Sequence, residues 1–128
     1  MQLQKKSLPV FLKSLKETNL NLADSRIRDE FHKELFEVTK TYEEAQQVIF
    51  KEFCLKGKDG EPKMTDKGEW QFATDKLDGL NAEIKILTEE EVDLTPKNPA
   101  KIKEFLNATQ YQPAVGEVEM IDEIIAKL

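Results

Sequence analysis

Apolar and polar positions alternate in one dominant pattern. Between Asp24 and Lys56 no Gly or Pro occurs, and Ile27, Phe31, Leu35, Val38, Tyr42, Ala45, Ile49 and Phe53 recur every three or four residues. That spacing lines up one apolar stripe on an α-helix, and residues 35–49 follow a heptad. The stretch predicts a single helix of 33 residues, about 50 Å long at about 1.5 Å per residue. Asp24 is the expected cap, and Lys51, Lys56 and Lys58 sit where the helix dipole favours cations. Asp29–Lys33 and Glu52–Lys56 have the spacing of supporting ion pairs, each contributing about 0.2–0.5 kcal/mol. Gly57 is the expected stop.

A helix of this length cannot hide its stripe unaided. A second, weaker patch lies a quarter-turn or more away: His32, Phe36, Phe50 and Cys54. Two apolar faces predict two neighbours. One is an N-terminal helix folded back as a hairpin. The other is the C-terminal half or another copy of the chain.

The flanking segments are shorter. Leu8, Phe11, Leu12 and Leu15 predict the N-terminal helix, with Ser7 as cap, Pro9 in its first turn and a left-handed stop near Asn19–Asn21. Asp59-Gly60 and Lys67-Gly68 are turn signals, and Pro62 forbids a helix interior. Trp70-Gln71-Phe72 alternates as a strand does, so a β-hairpin or structured loop is expected there. Asp75 would cap a short helix carrying Leu77 and Leu80. The alternation around Ile84 and Ile86, and around Val92 and Leu94, predicts a small antiparallel sheet from residues 69–73, 83–87 and 91–95. Asn98-Pro99 is a cap followed by a first-turn proline, opening a helix with Ile102, Phe105 and Leu106. Gly116 precedes a last helix bearing Val118, Ile121, Ile125 and Leu128.

The expected fold is therefore mainly α with a small β element (α+β). A long central helix packs in a helical hairpin beside a small antiparallel sheet and short C-terminal helices. One domain over 1–128 is expected: a hairpin over 1–57, a β-hairpin or small sheet with a short helix over 58–95, and helices over 96–128.

Charge narrows the partners. The chain carries 19 Lys and Arg against 25 Asp and Glu, a net charge of -6. Residues 1–64 hold 12 basic and 11 acidic side chains, and residues 65–128 hold 7 and 14. An acidic half repels phosphate, and the other half has no basic stripe, so no nucleic-acid partner is expected. No apolar run approaches the roughly 18 residues that span a bilayer, so no membrane partner is expected either. The first residues lack the apolar core and cleavage site of a signal peptide. With a single cysteine, Cys54, a reducing cytosol is the expected compartment.

No constellation predicts catalysis, a cofactor or a metal. His32, the one histidine, has Arg28, Asp29, Leu35 and Phe36 as helical neighbours and reads as a half-buried helix residue near Asp29. Cys54 has no signalled base and reads as a small apolar residue. Glu89, Glu90, Glu91 and Asp93 are the densest acidic run, but calcium loops need ligands at fixed spacing around a Gly. The run reads as a solvated face or as a helix start, for which Thr88 before three glutamates fits a capping box. Trp70 and Phe72 could stack bases, but in acidic surroundings a core or partner contact is preferred. Five residues remain as a candidate partner-binding set: His32, Phe36, Phe50, Phe53 and Trp70. For the three phenylalanines, core packing is the competing reading.

The order of elements carries a resemblance. The helix DEFHKELFEVTKTYEEAQQVIFKEF, the DGEP turn, WQF before a short helix, the EIKIL segment and the closing VGEVEMIDEII together resemble an uncharacterised family of small proteins from phages and prophages of Gram-positive bacteria. The likeness covers most of the chain and transfers no catalytic residue. It implies a small accessory or structural phage protein made in the host cytoplasm, with virion association open. The 33-residue stripe with extra aromatics outside it points to a non-enzymatic role through phage or host protein partners or as a homo-oligomer. Two specific forms are a tail-assembly chaperone, which must shield apolar segments of a partner, and an acidic inhibitor occupying a basic site on a host enzyme.

Overall fold

The computed structural model describes residues 1–128 and is mainly helical, with five α-helices and one two-stranded antiparallel sheet. In chain order the elements are β1 (Gln2–Gln4), α1 (Leu8–Lys16), α2 (Leu22–Phe53), α3 (Leu77–Glu89), β2 (Glu91–Asp93), α4 (Pro99–Asn107) and α5 (Glu117–Lys127). The long helix predicted from the stripe is α2, at 32 residues. Two compact units are built on it: Met1–Lys40 with Glu90–Leu128, and Thr41–Glu89. Their boundary falls inside α2, where an unbroken helical period leaves no mark in the sequence.

In the first unit, β1 and β2 pair with Leu3 opposite Val92. Leu3 and Leu94 are fully buried, as are Leu8, Phe11 and Leu15 of α1 and Ile102 and Phe105 of α4. α1 packs against α4 and α5, and the Phe11 ring meets Phe31 of α2 at 5.5 Å. Burying each such side chain contributes about 1.5–3 kcal/mol, so this cluster is the unit's main source of stability. Arg28 ties α2 to the end of α1, donating from Nη1 to the Thr18 carbonyl at 2.9 Å and to Thr18 Oγ1 at 3.1 Å. The segment before α5 closes on Glu117, whose Oε1 accepts from Tyr111 Oη and from the Ala114 amide, both at 2.7 Å. The amide bond, then the tyrosine, hold the Glu117 carboxyl below its ordinary range.

The second unit joins the last turns of α2 to α3 through three extended segments. Their backbones close a ring: Leu55 N–H donates to Gln71 at 2.8 Å, Gln71 to Lys63 at 3.2 Å, and Lys63 to Leu55 at 2.8 Å. Two tight turns make the ring possible, with Gly60 at φ 79 and Gly68 at φ 78, left-handed positions suited to glycine. Phe50 lies 6.1 Å from both Trp70 and Phe72. Where α3 crosses Phe53, a side chain on Gly79 would meet the Phe53 Cε1 atom at 2.8 Å.

Several local expectations are corrected. Residues 83–87 belong to α3 and not to a strand, because Leu77, Leu80, Ile84 and Leu87 keep a helical period that outweighs the short alternation. Residues 69–73 form isolated antiparallel bridges, Trp70 with Met64 and Phe72 with Cys54. Of 91–95 only Glu91–Asp93 is strand, and its partner is β1, some 90 residues away, which no local signal announces. Thr88 does not open a helix. Its Oγ1 donates back to Lys85 inside α3.

The caps also differ. Asn21, not Asp24, caps α2, its Oδ1 accepting from the Asp24 amide at 2.9 Å. α1 ends at Lys16 without any left-handed asparagine. Ser7 precedes α1 but its side chain makes no cap, because it is buried in a helical conformation after a 3-10 turn. α2 stops at Phe53, before Gly57, since Cys54 and Lys56 are drawn into bridges with Phe72 and Pro62. Asp29 bonds Arg28 at 3.0 Å and not Lys33. The Asn98 cap is present, accepting from the Lys101 amide.

Two substitutions check this packing. Phe105→Ala removes a ring that is 1% exposed and should cost about 3–5 kcal/mol in denaturant unfolding. Gly79→Ala should fail to deliver the roughly 1 kcal/mol that alanine gives over glycine in a helix, because its Cβ enters the Phe53 ring. Adding Phe53→Leu should recover part of that gain.

Candidate functional site

The five residues singled out from the sequence fall into two groups. Phe50, Phe53 and Trp70 lie in the second unit, half-buried, with Phe50 against the Trp70 ring and Phe53 under Gly79. His32 and Phe36 lie in the first unit, one helical turn apart on α2. Their rings stack at 6.2 Å with 20° between planes. With Lys33 and Glu37 they line a shallow depression of about 460 Å3.

Phe36 is the distinctive member. Of ten aromatic residues it is the one classed as exposed, at 46%. It sits on the side of α2 opposite Phe31 and Leu35, which are buried in the core. A phenyl ring held in water forgoes transfer energy that a partner surface would restore. Burial lowers the His32 pKa from its ordinary value, although the Asp29 carboxylate pulls the other way.

A second concavity escaped sequence reasoning. Ile27, Phe31 and Ile102 floor a groove of about 430 Å3, rimmed by Glu30, Glu34, Thr95, Lys97 and Asn98. Glu30 and Glu34 are one turn apart on α2, and each holds the loop before α4. Glu30 Oε1 accepts from Lys97 Nζ at 2.5 Å, and Glu34 Oε1 from the Thr95 amide at 3.1 Å. The Lys97 hydrogen bond, then its charge, draw the Glu30 carboxyl below the usual range and raise the Lys97 ammonium. The available signal was two carboxylates spaced i,i+4 beside the stripe, with a Pro-bounded Thr-Pro-Lys-Asn turn to receive them.

Glu30 and Glu34 are engaged in holding the loop. Cys54 is buried, its Sγ donating to the Lys51 carbonyl at 3.4 Å. No three His, Cys, Asp or Glu side chains gather where they could hold a metal ion. No helix is long and apolar enough to cross a membrane.

The His32 imidazole reports on the depression. Its NMR titration midpoint should lie below 6.5, and Phe36→Ala should raise it by returning water to the ring. Because the folded pKa is the lower one, the unfolded chain binds more protons, and stability present above the unfolded value is lost as pH falls through the folded one. His32→Gln should flatten that part of the pH–stability curve in denaturant titrations.

No family model, curated protein or solved structure matches this chain.

Proposed function

We propose that this chain is a non-enzymatic accessory or structural phage protein that works through protein–protein contacts, made in the host cytoplasm. The observation that carries the contact-making role is Phe36, the one exposed aromatic ring, stacked on His32 and set opposite the buried stripe of α2. The phage setting rests on the resemblance in element order.

Within this reading the five candidate residues divide their work. Phe50, Phe53 and Trp70 hold the second unit together, and His32 with Phe36 meets the partner. Aromatic anchors at the centre of a contact carry a disproportionate share of binding energy. The lysine and glutamate beside Phe36 set orientation and partner choice. A tail-assembly chaperone and an inhibitor of a host enzyme are both forms of this activity.

Phe36→Asp should leave the melting temperature within a degree or two, since the ring is outside the core, while abolishing capture of the partner that the wild type retains from lysates of infected or induced host cells. Val118→Asp, also on an exposed residue (51%) but on α5, should retain capture. Equal capture by wild type and Phe36→Asp would overturn the assignment of this face.

A further inference from the structure

The outer face of α2 carries more than one exposed ring. Within Asp29–Lys40, the residues turned away from the buried stripe are Asp29, His32, Lys33, Phe36, Glu37 and Lys40. Their order has a symmetry of its own. Reversed end to end about the point between Glu34 and Leu35, position 29 falls on 40, 32 on 37 and 33 on 36. Asp29 then meets Lys40, and the Lys33 ammonium meets the Phe36 ring, both attractive, the second as a cation on an aromatic face. His32 and Glu37, five residues and about 140° apart around the helix, fall on opposite flanks of the contact.

We infer that the partner of this face is a second copy of the same chain, lying antiparallel across Asp29–Lys40 with its two-fold axis between Glu34 and Leu35. The inference rests on the reading of the Phe36 face as a contact surface and names its occupant. Alternative alignments are less favourable. A parallel in-register pair sets Asp29, Lys33, Glu37 and Lys40 each against its own like charge. An axis through Phe36 stacks the two rings but sets Asp29 against Glu43, carboxylate on carboxylate. In the antiparallel pair Asp29 keeps its Arg28 bond at 3.0 Å, since a carboxylate has a second oxygen to offer Lys40.

The contact is short. Twelve residues of helix span about 17 Å, too short a strip to bury the roughly 2,000 Å2 or more of an obligate dimer. The association is therefore an equilibrium that dilution reverses, with like-charge repulsion excluding wrong registers.

Sedimentation equilibrium on the full chain tests this. The wild type should move with concentration from the 14.8 kDa chain mass toward twice that value. Asp29→Lys places Lys on Lys40 twice per dimer, and Lys40→Glu places Glu on Asp29 twice. Each should weaken self-association about tenfold or more while leaving the circular dichroism melt unchanged. An equimolar mixture of the two should recover the wild-type association, because both crossed pairs become opposite in charge. That recovery requires folded chains and an antiparallel register together. A wild type that stays monomeric, charge variants that associate as the wild type does, or a mixture that fails to recover would each overturn the inference. A monomeric wild type whose partner capture is still lost in Phe36→Asp would leave the contact-making role standing and remove only the second copy as occupant. Undiminished self-association and undiminished capture in Phe36→Asp would remove both.

Discussion

The structure depends on covering one apolar stripe that outruns any single neighbour. α2 has 32 residues, and a helix gains most of its stability in a protein from the packing of its apolar face rather than from propensity. Its first part is covered by Phe11 of α1, against Phe31, and by Ile102 of α4, which shares a groove with Ile27 and Phe31. Its last turns are covered by Trp70, Phe72 and the crossing of α3 at Gly79. The chain solves the problem twice, each time with a different device, and the two compact units are the result.

The devices differ in reach. The first unit draws on both ends of the chain: β1 pairs with β2, and the Thr109 hydroxyl donates to the Ser14 carbonyl at 2.6 Å across a separation of 95 residues. Such closure carries a large loop-entropy cost before its contacts form, which slows folding. The second unit is local. Its ring of backbone hydrogen bonds joins residues 55, 63 and 71, eight apart, through two turns that glycine makes inexpensive. Hydrogen bonding rather than a large core defines this segment, in keeping with the few fully buried side chains between Thr41 and Glu89.

What the sequence made legible follows this division. The long helix, the first helix, the Asn98-Pro99 start and the last helix were all readable, because each rests on a repeating period or a cap within a few residues. The strand pairing was not. Gln2-Leu3-Gln4 has one apolar residue and no partner in view, and Val92 shows alternation without saying what it pairs with. The misreading of 83–87 came from four alternating residues inside a longer helical period. For the site, the two-patch reading of α2 located His32 and Phe36 but could not separate them from Phe50, since exposure of one and cover of the other depend on Trp70 and Phe72 arriving from elsewhere. The engagement of Glu30 and Glu34 depends on Lys97 and the Thr95 amide, more than 60 residues on, which no local pattern announces.

The distribution of aromatic residues carries the functional argument furthest. Phe11, Phe31 and Phe105 are buried in the first unit, Tyr111 is bonded to Glu117, and Phe50, Phe53, Trp70 and Phe72 serve the second. A chain that buries so much of its aromatic surface, yet leaves one ring on the outer side of its longest helix, holds that ring against the driving force that placed the others. The stacked His32 supports the ring from one side only, so it gives it an orientation without removing it from water. Acidic and basic residues alternate on either side of it; in the proposed contact an apolar anchor alone would accept many surfaces, whereas flanking charges of both signs would reject every register but those that match them.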